Sequence, residues 1–146
     1  MGHGAGDATL IPEFAQLATR CTGVAQSVGT ELAFDLESIL RLDGFIDDIA
    51  APGMDNMALL VGSFLGETWV RLYGGRWVWR DTRWAIEFPD RPRNSPALAP
   101  FEIVKRRFDQ GMHGSISELA IQVHLQVSQH PARVLVSPGA GRGASR

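Results

Sequence analysis

The segment that decides the fold is RWVWRDTRWAIEF, which runs from Arg76 to Phe88. Two runs rich in aromatic and β-branched residues flank Asp81-Thr82, and this pattern predicts an antiparallel β-hairpin with those two residues in the turn. The predicted register pairs Trp79 with Trp84, Trp77 with Ile86, and Arg76 with Glu87. One face is then apolar and consists of Trp77, Trp79, Trp84, Ile86 and Phe88. A slip of one residue would scatter these side chains over both faces, so the pattern favours this register.

An aromatic face of this size must be covered, and the segment 54–73 just before the hairpin is predicted to be the covering helix. Asp55 is its expected N-cap, and Gly74-Gly75 follow it as expected of a helix C-terminus. Gly62 and Gly66 lie four residues apart and so share a helix face, where bare backbone lets a neighbour approach closely. We expect that neighbour to be the preceding helix or the hairpin. The apolar side is Met57, Leu60, Val61, Phe64, Leu65, Thr68 and Leu72.

The rest of the chain favours further helices. Residues 11–21 predict a short helix, and Asp35 is placed to cap a helix with apolar residues at helical spacing up to 49. Beyond a proline-rich loop at 89–100, one helix is predicted to end at Gly111, and Ser115 with Glu118 forms a capping-box pattern for the last helix. The predicted class is α+β, with one layer of helix packed on one layer of strand. Residues 10–130 are expected to form a single domain between mobile tails at 1–9 and 131–146.

Composition places few limits on function. The chain has 146 residues, a net charge of −2 and a single cysteine, Cys21, so no intramolecular disulfide and no cysteine metal cluster can form. The first nine residues lack the pattern of a secretory signal, and the apolar window 57–72 is interrupted by polar residues and is shorter than a membrane span. These features predict a cytoplasmic protein with no membrane association.

Charge is distributed unevenly along the chain. Residues 1–70 carry ten acids and two bases, whereas residues 71–109 carry nine bases and five acids. The two regions can attract each other within the fold, or one of them can present a surface for a protein partner. The candidate partner-binding residues on the basic side are Arg80, Arg83, Arg106 and Arg107.

Three short motifs give a likeness to a family. They are Glu37–Asp43 (ESILRLD), Val61–Glu67 (VGSFLGE) and Gly74–Trp77 (GGRW), followed by Pro100-Phe101. The chain resembles a group of small, functionally uncharacterised bacterial domains with the pattern Ser-Leu-x-x-Leu-Asp, Gly-x-x-Leu-Gly-Glu and Gly-Gly-x-Trp, from about residue 23 to residue 125. It departs from that pattern at Ile39, where leucine is usual, and at Ala99, where asparagine is usual. The resemblance implies a shared fold and no established activity.

Chemistry is suggested by one set of carboxylates. Asp43 and Asp47 share a helix face, and if the helices pack antiparallel, Glu67 can join them to bind a divalent cation through oxygen ligands. The chain lacks the repeated Glu-x-x-Glu spacing of helical pyrophosphatases, so a solvated helix face and a pair between Glu67 and Arg71 are the simpler interpretation. His113, His124 and His130 form no metal-binding spacing, there is no Gly-x-Ser-x-Gly motif, and no cofactor is expected.

The favoured hypothesis is a non-enzymatic protein-interaction or accessory domain. The alternative is a divalent-metal-dependent hydrolase that uses Asp43, Asp47 and Glu67. A third hypothesis is nucleic-acid binding through an arginine-rich face with tryptophans as stacking platforms. The predicted hairpin disfavours this third hypothesis, because its tryptophans lie on the face needed for the core.

Overall fold

The computed structural model of the protein describes residues 3–49, 55–89 and 97–128, with side chains from 13 to 49, 56 to 89 and 97 to 127. Within these ranges the chain has the predicted α+β architecture, with five α-helices, a 3-10 turn at Gly111–Gly114 and one antiparallel hairpin. The elements in chain order are α1 (His3–Ser27), α2 (Leu36–Ile49), α3 (Asp55–Tyr73), β1 (Arg76–Arg80), β2 (Arg83–Glu87), α4 (Pro100–Gln110) and α5 (Ile116–Ser128). The predicted tail at 131–146 and most of the proline-rich loop lie outside the described residues. None of the helices in the described part of the chain has the length and apolar character needed to cross a membrane.

The predicted hairpin register is confirmed at every pair, including Trp79 with Trp84 and Trp77 with Ile86. Asp81 and Thr82 both have positive φ, 56° and 61°, as a tight two-residue turn between twisted strands requires. The sheet gains a short extension where the backbone of Ile86 pairs with that of Leu98.

The apolar face of the hairpin is sealed except at one position. Trp77, Trp84, Ile86 and Phe88 are buried, whereas Trp79 is 49% exposed, so the prediction that Trp79 would be covered is wrong. The covering rings come from α1 and α4 as well as from α3. The Phe14 ring lies 4.3 Å from Trp77 and 5.3 Å from Trp84, and Phe101 lies 5.7 Å from Trp77, in each case between ring centroids. Trp79 sits next to the turn and contacts only the edge of this cluster, through Trp84.

Helix α3 is the central element, and both of its predicted packing glycines are used. A Cβ on Gly66 would lie 2.2 Å from the ring of Trp77, which confirms close packing against the hairpin. A Cβ on Gly62 would lie 2.4 Å from Phe101 of α4 rather than against the preceding helix. The largest fully buried side chain of α3 is Trp69, which the predicted apolar stripe omitted.

Helix α1 is longer than predicted. It begins at His3 and ends at Ser27, so it includes residues 3–9, which were expected to form a tail, and passes through Gly23. The extension towards the C-terminus has a physical cause, because the buried residues continue at helical spacing through Ala18, Cys21 and Ala25. The helix ends before Gly29, whose φ of +86° is the left-handed conformation common after a helix C-terminus.

Two other predicted helix ends are confirmed, whereas Asp55, the expected N-cap of α3, is the first residue of that helix. The Ser38 amide donates to Asp35 Oδ1 at 2.8 Å, as expected of an N-cap, and α4 ends immediately before Gly111. At α5, only half of the predicted capping box forms: the Glu118 amide donates to Ser115 Oγ at 3.3 Å, while the Ser115 amide donates to the carbonyl of Met112. The Ser115 hydroxyl itself donates to a carboxylate on α2.

Candidate functional site

Helices α2, α4 and α5 meet at a buried polar network centred on Asp43 and Arg107, which are 6% and 3% exposed. Arg107 Nε donates to Asp43 Oδ1 at 2.7 Å, and its Nη2 donates to Asp47 Oδ1 at 2.6 Å. The same Asp43 carboxylate accepts hydrogen bonds from Ser115 Oγ at 2.9 Å and from the amides of Ile116 at 3.1 Å and Ser117 at 2.9 Å. Asp43 therefore acts as the N-terminal cap of α5, although it belongs to α2.

The electrostatics of Asp43 follow from these contacts. Burial alone raises its pKa, but the amides of Ser117 and Ile116 and the guanidinium of Arg107 outweigh burial, so that its pKa lies below the ordinary aspartate value. The carboxylate therefore stays ionised at neutral pH, where its charge also interacts favourably with the positive end of the α5 dipole. The network is a structural tie between three helices.

This arrangement changes the interpretation of the predicted carboxylate site. Asp43 and Asp47 do come together, but they converge on the cation of Arg107. Glu67 is bound elsewhere: its Oε2 accepts from the buried indole Nε1 of Trp77 at 2.8 Å, and its other oxygen lies 3.7 Å from Arg71. Within residues 3–49, 55–89 and 97–128, no group of three or more His, Cys, Asp and Glu side chains is arranged to hold a metal ion.

The basic candidates are also rearranged by the fold. Arg107 is buried, so its predicted role on a partner-binding surface is wrong. Arg80 is exposed but pairs with Glu87, and Arg83 Nη1 lies 2.5 Å from Glu102 Oε1. Only Arg106 of the four candidates is exposed with no carboxylate partner among the described residues. Three of the four candidates are thus paired with carboxylates of the fold.

One histidine and the cysteine occupy environments that sequence alone did not show. His124 Nδ1 lies 2.8 Å from the hydroxyl of Tyr73, so α5 is hydrogen-bonded to the end of α3, and burial raises the pKa of that tyrosine. Cys21 lies on α1 and is buried in the core, and burial raises the pKa of its thiol to about 12. A thiol with so high a pKa has little thiolate at neutral pH and is a poor nucleophile.

The acidic region, in contrast, borders a concave surface. A shallow groove of about 610 Å³ lies between the α1–α2 connection and the outer side of α2. Gly44 belongs to its lining, and outside the neighbouring backbone of its own helix no atom lies within 4 Å of the place where a Cβ would stand. The lining residues are Gly29, Thr30, Glu31, Leu40, Arg41, Gly44, Phe45 and Asp48.

The charges of this groove are predominantly negative. Glu31 and Asp48 are exposed at its rim, and neither carboxylate is in an ion pair with any other described residue. The one base in the lining, Arg41, is held at 3.0 Å from the backbone carbonyl of Glu31 and at 2.9 Å from the carboxylate of Glu37. The groove therefore combines unpaired carboxylates with one partly exposed aliphatic side chain, that of Leu40. The groove was not predicted, although Gly44 inside an otherwise regular helix of the acidic region was the available signal.

In comparisons with known proteins, the chain matches no family model, no curated protein and no solved structure. The likeness to small bacterial domains seen in the three motifs therefore stays a prediction.

Proposed function

We propose that the chain is a non-enzymatic interaction domain whose groove along α2 binds a basic segment of a protein partner. The observation that carries this proposal is the unequal neutralisation of charge. The described arginines of the hairpin and α4, except Arg106, are paired with carboxylates within the fold, whereas the carboxylates of Glu31 and Asp48 stand unpaired at the rim of a concave surface. Complementary charge directs association and selects the partner.

The chemistry of the groove supports binding more than catalysis. Leu40, which is 38% exposed, supplies apolar surface beside the acidic residues, as in a site for an alkyl-rich lysine or arginine side chain. The carboxylates considered for a metal-dependent hydrolase are instead engaged by Arg107 and Trp77. These carboxylates make structural contacts within the fold.

The proposal is tested by selecting binders from a random peptide library displayed on phage. We expect enriched peptides to carry a net positive charge and to bind less tightly as ionic strength rises, because exposed charges are screened by salt. The variant Glu31→Gln with Asp48→Asn should weaken the binding of a selected peptide by about fivefold to tenfold, since each exposed ion pair contributes at most about 1 kcal/mol.

The matched control is Asp81→Asn, which removes an exposed carboxylate in the hairpin turn, outside the groove lining. Asparagine tolerates the positive φ of that position, so this variant should fold and bind as the original chain does. Enrichment of peptides without positive charge, or equal loss of affinity in both variants, would refute the proposal.

A further inference from the structure

Beside the groove, the outer side of α5 exposes aliphatic side chains. Ile121 and Leu125 are 46% and 53% exposed and lie one helical turn apart. Gln122 and Gln126, which border them, are uncharged and also exposed. Two large aliphatic side chains in succession on one helix face form a small unpartnered apolar surface, named here the α5 strip.

The α5 strip lies on the helix whose first turn is hydrogen-bonded to Leu40 of the groove lining. Ser117 lies one turn before Ile121 on α5, and its hydroxyl donates to the carbonyl of Leu40 at 3.0 Å. Leu40 lines the groove and is itself 38% exposed. Leu40 on α2, with Ile121 and Leu125 on the adjacent helix α5, are three exposed aliphatic residues, named here together the apolar path.

Carboxylates flank this path. Glu31 and Asp48 lie on the groove side, and Glu118 is exposed on α5, about one helical turn before Ile121. Among the described residues, neither Glu118 nor the two groove acids are in an ion pair with a base. A ligand that covers the path must therefore bring apolar side chains to its centre and positive charge to its edges.

We infer that the ligand of this surface is an amphipathic basic helix, which packs its apolar side on Leu40, Ile121 and Leu125 and sets its lysines or arginines against the flanking acids. This inference rests on the proposed function and specifies its partner class. Two neighbouring helices, α2 and α5, present the path, and an amphipathic helix laid in such a groove offers apolar anchors at matching i, i+4 and i+7 spacing. A second copy of this chain fits less well, because two copies facing each other would bring Glu118 and the groove acids of both together.

The test uses two synthetic 14-residue peptides of identical leucine and lysine content. In the patterned peptide the leucines recur at helical spacing, and in the scrambled peptide they share no helix face. Fluorescence anisotropy with the full chain should give at least tenfold tighter binding of the patterned peptide, and circular dichroism should show that it gains helix on binding.

Two variants separate the inference from the proposed function. Ile121→Ser with Leu125→Ser changes only exposed side chains and should reduce the affinity for the patterned peptide to within threefold of that for the scrambled one. The free energy of unfolding of this variant should stay close to that of the original chain. Glu31→Gln with Asp48→Asn should weaken both peptides.

Equal affinity for the two peptides, or a preference for the patterned peptide that persists in the serine variant, would overturn the inference of a helical ligand. The groove proposal would still stand if the acid variant weakened the binding of both peptides. Failure of both peptides to bind, or no effect of the acid variant, would remove the proposed function as well. Sedimentation that shows a dimer lost in the serine variant would assign the α5 strip to a second copy and overturn the inference.

Discussion

Replacing Asp43 by asparagine is the most informative single change, because the side chain keeps its shape and loses its charge. Each carboxylate oxygen of Asp43 accepts two hydrogen bonds: Oδ1 from Arg107 and the Ile116 amide, and Oδ2 from Ser115 and the Ser117 amide. The amide nitrogen of asparagine must replace one of these oxygens, so two donors then face a third donor group.

These contacts set the loss in the free energy of unfolding that the substitution causes. Hydrogen bonds to a charged group contribute about 1.5–3 kcal/mol each, and removing one partner of a buried ion pair costs about 3–5 kcal/mol. We therefore expect Asp43→Asn to lower the free energy of unfolding by about 3–5 kcal/mol at pH 7. That is a large part of the roughly 5–15 kcal/mol that stabilises a typical domain, and it corresponds to a fall in Tm of about 10–15 °C.

The effect of this substitution should depend on pH. The pKa of Asp43 is lower in the folded chain than its ordinary value near 3.9, so its ionisation stabilises the fold above about pH 4. That contribution is lost as pH falls through the folded pKa. The difference between the original chain and Asp43→Asn should therefore narrow below about pH 4.

Urea unfolding followed by tryptophan fluorescence, from pH 7 down to pH 3, measures both quantities. The control is Glu37→Gln, which removes an exposed carboxylate paired with Arg41 and should cost less than about 1 kcal/mol. A loss below 1 kcal/mol for Asp43→Asn, or a loss that stays constant over this pH range, would contradict the reasoning.

Three further outcomes follow from the packing. Gly66→Ala should destabilise the chain by about 1–3 kcal/mol, because its Cβ would overlap the Trp77 ring. Gly44→Ala, which has open space at its Cβ, should instead stabilise the chain by up to about 1 kcal/mol. Urea unfolding of both variants measures these changes, and equal effects on stability would contradict the close approach of Trp77 to Gly66. Trp77→Phe should cost at least about 1–3 kcal/mol, because the buried carboxylate of Glu67 loses its indole donor, and thermal unfolding at the stability of the original chain would refute that role. Cys21 should resist alkylation by iodoacetamide at pH 8 in the folded chain, because burial raises the pKa of its thiol to about 12, and it should react once urea is added. Mass spectrometry measures the labelling, and rapid labelling without urea would exclude the buried position.

The hairpin was predictable because its determinants are local. A two-residue turn fixes the register, and the alternation of aromatic residues selects the inward face, so the pairing of Trp77 with Ile86 could be read from adjacent positions. The exposure of Trp79 could not be read in this way. It depends on how far Phe14 and Phe101 extend over the sheet, and both belong to elements distant in sequence.

The site shows the same division between local and distant effects. Asp35 was correctly predicted as a cap, because its acceptor role concerns an amide three residues away. Arg107 was predicted as a surface base from its position in a basic run, and it is instead buried against Asp43, 64 positions earlier in the chain. A charge pattern along the sequence does not show which member of Lys105-Arg106-Arg107 faces inwards, since that depends on where α2 packs. The groove likewise arises from the packing of a connection against a helix.

The borrowed cap of α5 has a consequence for how this sequence can diverge. Asp43, Arg107 and Ser115 lie on different elements, yet each supplies a bonding partner to another member of the set. A substitution at one position leaves an unpaired charge or an unsatisfied hydrogen-bond donor in the interior. Simultaneous replacement of the set by well-packed apolar side chains can preserve stability. Relatives of this chain should therefore alter these three positions jointly, and a sequence carrying only one of the exchanges should mark either a weakened fold or a different way of starting its final helix.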